Sequence, residues 1–275
     1  MKLKRQKEMR KEFRKGSWAL VTGASSGMGL EYCRQLAAES CNILMVSIER
    51  EKLNQLSVSL AEEFGVEARG LYSDLSRPEA AQELFEYCQS EGLEIEVLVN
   101  NAGMFFFEEI AEANRKKAET MLRLHVDTTT SLIFLFGEEM KKRGRGFILN
   151  MSSICAGMNV PGLAMYASSK NYIRSLSKSL YYEYWLRGVN MCVVCPGAVA
   201  TPLYRLKASL MKIGLALGVI NTPEYVVRRG LKGLRRGRRE MKPGLMPYYL
   251  PFLVAILPKC LIRIIWRKMD SSRQP

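Results

Sequence analysis

The sequence predicts an α/β protein in which a doubly wound parallel sheet carries helices on both faces. Three observations lead to this prediction. The 275 residues are 48% hydrophobic and 25% charged, the balance of an ordinary globular chain. Short apolar runs alternate with stretches of helical periodicity, as expected for buried strands joined by right-handed crossovers. A glycine-rich turn lies between the first apolar run and the first helical stretch.

The individual elements follow from these periodicities. Six short apolar runs bounded by Gly, Asn or Pro are predicted strands, at residues 18–22, 42–47, 68–73, 97–100, 147–151 and 190–195. Helical periodicity is found near residues 27–39, 49–64, 78–91, 112–142 and 162–187. Pro223 suits a first helical turn and predicts a further helix that extends to about Arg239.

Charge and cysteine usage narrow the class of protein. Residues 1–15, 228–242 and 259–275 carry net charges of +6, +7 and +4, whereas the remainder carries −3. The basic N-terminus lacks the apolar core of a signal peptide, and no run of about 18 uncharged apolar residues predicts a transmembrane helix. Seven dispersed cysteines suit reduced thiols, so we expect a cytoplasmic protein.

No metal site is expected. Cys192 and Cys195 form a CxxC motif, but they fall in a predicted strand, where residues three apart face opposite sides. His125 is the only histidine of the chain, so a zinc site would be poorly supplied with ligands.

The glycine-rich turn predicts a dinucleotide site, with a plain strand–helix turn as the alternative. It reads Thr22-Gly-Ala-Ser-Ser-Gly-Met-Gly29, and it would bring backbone amides and a helix N-terminus to a pyrophosphate, as in a Rossmann-type fold. About 20 residues further on, the ribose-reading position falls in Ser47-Ile48-Glu49-Arg50. Glu49 and Arg50 could each reach the ribose, or both could be solvated. Because no acid clearly occupies the strand tip, NADP is favoured slightly over NAD.

A tyrosine and a lysine predict acid–base chemistry. Tyr166 and Lys170 are four residues apart in a helical stretch, so they share one face. A nearby ammonium lowers the pKa of a phenol from its usual value near 10, which makes the phenol a usable acid or base. A surface helix pair is the alternative. Ser152 and Ser153 follow the fifth predicted strand, at the sheet edge where such folds bind ligands.

Taken in order, these motifs resemble the short-chain dehydrogenase/reductase family. They are TGASSGMG, Asp74-Leu75, NNAG, a serine 13 residues before the tyrosine, YASSK and PGAVAT, and they span roughly residues 16–202. The resemblance implies an NAD(P)-dependent oxidoreductase that transfers a hydride between a nicotinamide and a ketone or secondary alcohol. Tyr166 would then donate the proton, Ser153 would hold the carbonyl oxygen, and Lys170 would bind the nicotinamide ribose and lower the tyrosine pKa.

The resemblance also implies which residues contact the nucleotide. The turn would hold the pyrophosphate, and Asp74 would bond the adenine amino group. Residues 101–103 would pack along the adenosine half, and residues 196–201 would contact the nicotinamide end. Together with Tyr166 and Lys170, the implied contacts are Gly23, Ser25, Gly27, Met28, Gly29, Asp74, Asn101, Ala102, Gly103, Pro196, Gly197, Val199 and Thr201.

One residue departs from the family pattern. In Leu122-Arg-Leu-His125-Val126, the histidine occupies the position of an asparagine that usually helps to hold a proton-feeding water chain. Histidine titrates near pH 6.5 and can also donate and accept. His125 is therefore either a tolerated polar replacement or a member of the proton relay. The departure also supports an alternative function, a catalytically weak dinucleotide-binding protein with a regulatory or scaffold role at a membrane surface.

The segment after PGAVAT predicts either a lid or a packed helix. Apolar residues recur at helical spacing, at Leu203, Leu206, Leu210, Ile213 and Leu217. One interpretation is packing on the body. The other is a lid over a small hydrophobic carbonyl or alcohol substrate, such as a steroid-like, acyl or lipid ketone, with Gly214 and Gly218 permitting movement.

The C-terminal segment also has two interpretations. Residues 245–258 are apolar and are followed by Lys259, Arg263, Arg267 and Lys268. Apolar and aromatic residues beside basic ones suit peripheral contact with an anionic membrane. The other interpretation is an arm that covers the body or forms a homo-oligomer contact. No nucleic-acid partner is expected, because the basic runs lack interleaved aromatic residues.

We expect a single domain with four segments. Residues 1–15 form a basic arm, and residues 16–202 form the dinucleotide-binding and catalytic core. Residues 203–242 form the substrate lid and basic helix of the same domain, and residues 243–275 form an apolar, basic tail.

Overall fold

A seven-stranded parallel sheet forms the centre of the protein in the computed structural model, which describes residues 12–201, 214–215 and 219–271. The strands within the described residues are β1 Trp18–Thr22, β2 Asn42–Ser47, β3 Ala68–Tyr72, β4 Ile95–Asn100, β5 Gly146–Met151, β6 Val189–Val194, β7 Ala198–Val199, β8 Ile220–Asn221 and β9 Glu240–Met241. The large sheet has the order β3-β2-β1-β4-β5-β6-β9, and β7 pairs with β8 separately. The predicted fold class and its six strands are confirmed.

Helices cover both faces of the sheet. They are α1 Gly27–Ala38, α2 Arg50–Phe64, α3 Ala80–Ser90, α4 Arg115–Leu122, α5 Thr129–Arg143, α6 Ala164–Leu186, α7 Pro223–Arg235, α8 Met246–Ile256 and α9 Lys259–Ser271. Leu36, Leu53 and Leu231 belong to the core under α1, α2 and α7. Leu84, Phe136 and Tyr184 belong to the core under α3, α5 and α6. The sheet is therefore buried on both faces, which explains its continuous apolar strands.

Two predicted helices differ from the observed ones. The helix from Pro223 ends at Arg235, not near Arg239, because the chain turns at Gly237 with φ +62°, a conformation that favours glycine. The predicted helix 112–142 begins with a 3₁₀ turn, and α4 and α5 are joined by a π-helical turn at Arg123–Thr128. This wider turn contains His125, and such turns are frequent at functional sites.

The carboxyl edge of the sheet is braced by buried polar groups. β1 lies between β2 and β4, so the crossovers leave it in opposite directions and a crevice opens at the strand ends. Near their carboxyl ends β4 and β5 are joined, since Asn100 Nδ2 donates to Asn150 Oδ1 at 2.8 Å. Asn150 Nδ2 donates in turn to Ser177 Oγ of α6 at 2.9 Å. These bonds fix α6 relative to β4 and β5.

A buried carboxylate anchors the segment before β1. Glu96 is 1% exposed and pairs with the guanidinium groups of Arg14 and Arg145. Burial raises the pKa of Glu96, but the hydrogen bonds from the two arginines outweigh it, so the pKa lies below its ordinary value. Phe13 packs edge-on against Phe147, with ring centroids 4.9 Å apart. Residues 13–14 are thus part of the folded body.

The tail forms two helices that turn back onto the body. Pro247 lies in the first turn of α8 and Pro251 lies inside it, while Pro258 separates α8 from α9. A Cβ on Gly157 would lie 3.7 Å from Cβ of Pro251, so α8 contacts the turn that follows β5. No helix in the described part of the chain is long and apolar enough to cross a membrane. Most of the predicted lid, including Leu203, Leu206, Leu210, Ile213 and Leu217, lies outside the described residues.

Candidate active site

Ser153 is the second residue after β5, at the carboxyl edge of the sheet. It begins the 3₁₀ turn Ile154–Gly157, and its Oγ accepts from the backbone N–H of Cys155 at 3.2 Å. The turn is held to the next loop, because Ile154 N donates to the carbonyl of Pro196 at 2.8 Å. The hydroxyl of Ser153 is buried at the site and keeps its own proton to donate to an acceptor there.

Lys170 and Tyr166 share one face of α6 and are both buried, unlike a surface helix pair. Lys170 Nζ lies 5.9 Å from the centroid of the Tyr166 ring and donates to the carbonyl of Met151 at 3.1 Å. Burial lowers the pKa of Lys170 from 10.5 to about 8. The ammonium is therefore charged at neutral pH but poorly solvated, and its field acts on its immediate neighbours.

A wall of phenylalanine side chains, which was not predicted from the sequence, borders Tyr166 on one side. The Tyr166 ring packs edge-on against Phe105, with centroids 5.0 Å apart, and Phe105 stacks on Phe107 at 6.3 Å. Phe106 is fully buried in the same cluster. Three consecutive phenylalanines, separated from the NNAG motif only by Met104, were the signal that could have predicted this wall.

His125 is fully buried, and both of its ring nitrogens are engaged. Its Nε2 accepts from the backbone N–H of Met104 at 3.1 Å, so the ring proton lies on Nδ1. Nδ1 then donates to Ser169 Oγ at 2.9 Å, and Ser169 donates to the carbonyl of Tyr166 at 2.9 Å. Burial, with a smaller effect from the charge of Lys170, holds the pKa of His125 well below 6.5.

The neutral ring of His125 links two elements of the site. It joins the loop after β4, at Met104, to the turn of α6 that carries Tyr166 and Lys170. Ser169, which completes this link, was also missed. Its spacing of three residues from Tyr166, on the same helix face, was the available signal.

The glycine-rich turn has the geometry that a pyrophosphate needs. Gly23 and Gly27 have φ of +65° and +52°, and a Cβ on Gly29 would overlap the carbonyl oxygen of Gly23. Ser26 is extended and its side chain does not cap α1, whose first turn has no acidic residue. Met28 lies at the start of α1 and packs partly on the core beneath it. The helix N-terminus is thus open to an anion.

The loop after β4 braces the glycine-rich turn and approaches Lys170. Asn101 Nδ2 donates to the carbonyl of Thr22 at 2.9 Å, and Ala102 N donates to Thr22 Oγ1 at 2.9 Å. A Cβ on Gly103 would lie 2.9 Å from His125 Nε2 and 3.3 Å from Lys170 Nζ. Glycine is therefore required where this backbone passes between the two side chains.

Glu49 connects the second strand to the turn. Ser25 donates a hydrogen bond to Glu49 and also bonds Ser47 Oγ at 2.8 Å. The bond from Ser25 is the main cause that lowers the pKa of Glu49. Arg50, by contrast, lies over the Tyr72 ring, 4.8 Å from its centroid. Of the two ribose-reading candidates, the carboxylate is the one held against the turn.

Asp74, the residue implied to contact adenine, is held by hydrogen bonds from a neighbouring residue. Asp74 Oδ1 accepts from the backbone N–H and the hydroxyl of Ser76 at 3.0 and 2.7 Å. The hydroxyl of Ser76 is the main cause that lowers the pKa of Asp74.

The loop after β6 carries the remaining implied contacts. A Cβ on Gly197 would lie 3.7 Å from Met246 Cβ, and Val199 is buried in β7. Within the described residues, Thr201 Oγ1 is buried without a hydrogen-bond partner. A buried unpaired hydroxyl in this loop fits a bound dinucleotide with a polar nicotinamide end.

Comparison with known sequences identifies proteins that are similar to this chain. The sequence model described as short chain dehydrogenase matches residues 17–209. The very-long-chain 3-oxoacyl-CoA reductase of Anas platyrhynchos is 30% identical over 266 residues, 94% of this chain and 81% of that protein. The reductase of the same name from Mus musculus is 33% identical over 201 residues. That alignment covers 70% of this chain and 63% of the mouse protein, less than two thirds of its length.

Solved structures with the same fold are also found. A structure from a study of 7beta-hydroxysteroid dehydrogenase stereoselectivity is 26% identical, with a TM-score of 0.80, and the match covers 88% of this chain and 93% of that one. L-Sorbose reductase from Gluconobacter frateurii, complexed with NADPH and L-sorbose, is 25% identical, with a TM-score of 0.75. That match covers 86% of this chain and 99% of the reductase.

Proposed function

The chain belongs to the short-chain dehydrogenase family and is an NAD(P)-dependent oxidoreductase, and from this premise we propose that it interconverts a secondary alcohol and a ketone on a hydrophobic substrate. The proposed catalytic residues are Ser153, Tyr166 and Lys170. The observation that carries the proposal is the burial of Tyr166 and Lys170 together at the crevice edge, beside the loop that braces the glycine-rich turn.

Each proposed residue has a separate task in the reduction of a ketone. When bound, the nicotinamide supplies the hydride. As negative charge grows on the carbonyl oxygen, Ser153 donates a hydrogen bond to it and Tyr166 transfers its phenolic proton to it. In the oxidation the same two groups act in reverse. No covalent intermediate is needed, so positioning and charge stabilisation account for the contribution of the protein.

Lys170 supports the tyrosine through charge. Its buried ammonium stabilises a phenolate more than a phenol, and this lowers the cost of proton transfer from Tyr166. The bond from Lys170 to the carbonyl of Met151 fixes the direction from which the charge acts. The open glycine-rich turn and the buried hydroxyl of Thr201 are the groups that we propose to hold the pyrophosphate and the nicotinamide end.

A hydrophobic substrate is supported by the surroundings of Tyr166. Phe105 packs against the ring, and Phe107 stacks on Phe105. Met158 and Leu163, which lie between Ser153 and Tyr166 in the sequence, are also buried. Named relatives act on very-long-chain 3-oxoacyl-CoA, and a similar structure is that of a hydroxysteroid dehydrogenase. We therefore propose an acyl or steroid-like ketone rather than a sugar.

The test is NADPH and NADH oxidation with a panel of ketones. The panel contains a long-chain 3-oxoacyl thioester, a steroid ketone and a small polar ketone, each assayed with both nucleotides. We expect turnover with the apolar substrates. Nucleotide binding without turnover on any apolar ketone would instead favour the alternative, a catalytically weak dinucleotide-binding protein with a regulatory role.

Glu49→Gln is expected to shift the nucleotide preference toward NADPH. The carboxylate held by Ser25 would repel a ribose 2′-phosphate, whereas glutamine can still accept the bond from Ser25. Removing one partly exposed charge is worth about 1 kcal/mol, so the NADPH-to-NADH ratio of kcat/KM should rise about fivefold. Glu51→Gln, two residues away in the first turn of α2, is the matched control. An unchanged ratio would place Glu49 away from the ribose.

His125→Asn tests whether the histidine relays protons or positions the site. Because both ring nitrogens are engaged and the pKa lies well below 6.5, we expect the pH profile of kcat to stay unchanged between pH 6 and pH 8. A displaced profile would assign His125 to the proton relay.

A stability measurement provides an independent check on His125. The depressed pKa means that the unfolded chain binds the proton first as pH falls below 6.5. The wild type should therefore lose about 1.4 kcal/mol of unfolding free energy per pH unit relative to His125→Asn.

The oligomeric state and the cellular location of the protein stay predictions. A homo-oligomer is supported by exposed apolar side chains near the end of α6, at Tyr182, Trp185 and Leu186, and light scattering of the purified chain would give its mass. A cytoplasmic location is supported by the seven free cysteines, and imaging of a tagged protein in cells would test it.

A further inference from the structure

The two tail helices expose an unusual number of large apolar side chains. Eighteen large hydrophobic residues are exposed in the described parts of the chain, and eight of them lie between residues 245 and 264. We call this set the tail face: Leu245, Tyr248, Tyr249, Phe252, Leu253, Ile256, Leu261 and Ile264. A contiguous apolar surface of this kind marks an interaction site on a soluble chain.

The tail face is one side of α8 continued onto α9. Its members on α8 recur at spacings of three and four residues, which places them along one stripe. Phe252 and Leu253 are 65% and 52% exposed. The opposite side packs on the body, since Pro247 is buried and Pro251 lies against Gly157. The helix is therefore apolar on both sides, with only one side covered by the chain itself.

Positive charge borders the tail face. Residues 241–269 contain five basic residues and no acidic one. Lys259, Arg263 and Arg267 are exposed on α9, and Lys242 Nζ lies 5.4 Å from the centroid of the Tyr248 ring. Tyrosine and tryptophan beside cations and aliphatic side chains are typical of segments at a membrane–water interface.

We propose that the tail face docks on the surface of an anionic bilayer, with α8 and α9 lying in the interface. The two helices have 11 and 13 residues, which corresponds to lengths of about 16 and 20 Å, so each is shorter than a hydrocarbon core of about 30 Å. Charge favours lipid over a second copy of the chain as the occupant of this face, because residues 241–269 carry five basic residues and no acidic one, so two tail faces placed together would repel each other.

The docked helices also form part of the surroundings of the candidate active site. A Cβ on Gly162, between Ser153 and Tyr166, would lie 2.9 Å from both Phe107 and Trp266 of α9. Ile262 of α9 lines a cavity of about 430 Å³ together with Met158, Val160 and Ala167. If the proposed function holds, a hydrophobic substrate dissolved in the bilayer would reach the site from the side on which the protein is docked.

Flotation of the full chain with vesicles tests the docking. Vesicles of phosphatidylcholine alone are compared with vesicles of phosphatidylcholine and phosphatidylserine, at low salt and at high salt. We expect flotation with the anionic vesicles, and we expect high salt to weaken it because counterions screen the basic residues. Failure of the wild type to float with anionic vesicles would overturn the proposal.

Two double variants separate the apolar contribution from the charged one. Phe252→Ser with Leu253→Ser should weaken vesicle binding roughly thirtyfold. This value assumes that each side chain, when docked, gains half of the free energy of its full transfer out of water. Arg263→Gln with Arg267→Gln should weaken it about thirtyfold at low salt, from about 1 kcal/mol per cation.

The controls are an apolar and a basic residue outside the tail. Phe134→Ser on α5 removes a side chain that is 55% exposed, and Lys142→Gln removes a cation from the end of the same helix. Both should bind vesicles like the wild type. Equal losses in the controls, or tail variants that change the oligomeric mass and leave flotation intact, would overturn the proposal and favour nonspecific adsorption or a protein contact.

Failure of the docking and failure of the proposed function are distinguishable. Flotation needs no turnover, so a Tyr166→Phe variant should float like the wild type. The Phe252→Ser, Leu253→Ser variant should keep its activity on a water-soluble ketone and lose activity on a ketone supplied in anionic vesicles. Equal loss on both substrates would contradict delivery from the bilayer.

Discussion

Tyr166→Phe is expected to lower kcat by roughly two to four orders of magnitude, the usual contribution of a positioned acid or base. The substitution removes only the phenolic oxygen, so the ring keeps its edge-on contact with Phe105 at 5.0 Å. The neighbouring bonds from Lys170 to Met151 and from Ser169 to the carbonyl of Tyr166 do not involve that oxygen. Folding and nucleotide affinity should therefore stay close to those of the wild type.

The matched control lies on the same helix. Tyr172 is exposed, and its hydroxyl bonds Thr130 Oγ1 at 3.1 Å, outside the proposed site. Tyr172→Phe should leave kcat unchanged. Steady-state turnover with the best ketone of the panel and nucleotide titration by fluorescence measure the two quantities. Wild-type turnover in a folded, nucleotide-binding Tyr166→Phe variant would remove the tyrosine from the reaction.

Lys170→Met is expected to stabilise the protein while it lowers kcat by at least tenfold. Burial lowers the pKa of Lys170 from 10.5 to about 8, so the folded state disfavours the ammonium by about 3 kcal/mol at neutral pH. Loss of the bond to the carbonyl of Met151 offsets about 1 kcal/mol of this gain. The net increase in the unfolding free energy at pH 7 should be about 2 kcal/mol.

The pH dependence identifies the cause of this stabilisation. Between pH 8 and pH 10.5 the unfolded chain holds the proton that the folded chain releases, so wild-type stability rises with pH in this window. The advantage of Lys170→Met should therefore shrink from pH 7 to pH 9.5 in urea titrations. Lys178→Met, on the same helix and close to Glu240, should show no such gain. An advantage that does not depend on pH would mean that packing, and not the buried charge, is responsible.

Strands β1, β2, β5 and β6 could be predicted from sequence because they are buried on both faces and consist mostly of apolar residues. β9 could not be predicted in this way, since Glu240 and Met241 lie in a strongly basic stretch and pair only through their backbone with β6. The π-helical turn at Arg123–Thr128 could not be predicted from the spacing of apolar residues either. One wider turn changes the repeat only locally, and the apolar pattern on either side stays helical.

Part of the candidate site could likewise be predicted from the sequence, and part could not. Spacing alone placed Tyr166 and Lys170 on one face of a helix, because an i, i+4 relationship is local. The contacts of His125 with Met104 and Ser169 join segments that are 21 and 44 residues apart, and no local pattern encodes them. The bond between Ser25 and Glu49 is likewise a product of the way β1 and β2 lie side by side.

The only imidazole of the chain is held uncharged between Met104 and Ser169, and this has a physiological consequence. Histidine is the side chain with which proteins ordinarily sense acidification between pH 5 and pH 8. Here the imidazole is held in a fixed, neutral hydrogen-bonded state, whereas the buried ammonium of Lys170, with its pKa lowered to about 8, loses its charge on the alkaline side of neutrality. Turnover should therefore be steady during mild acid stress and should decline when the surrounding fluid becomes alkaline.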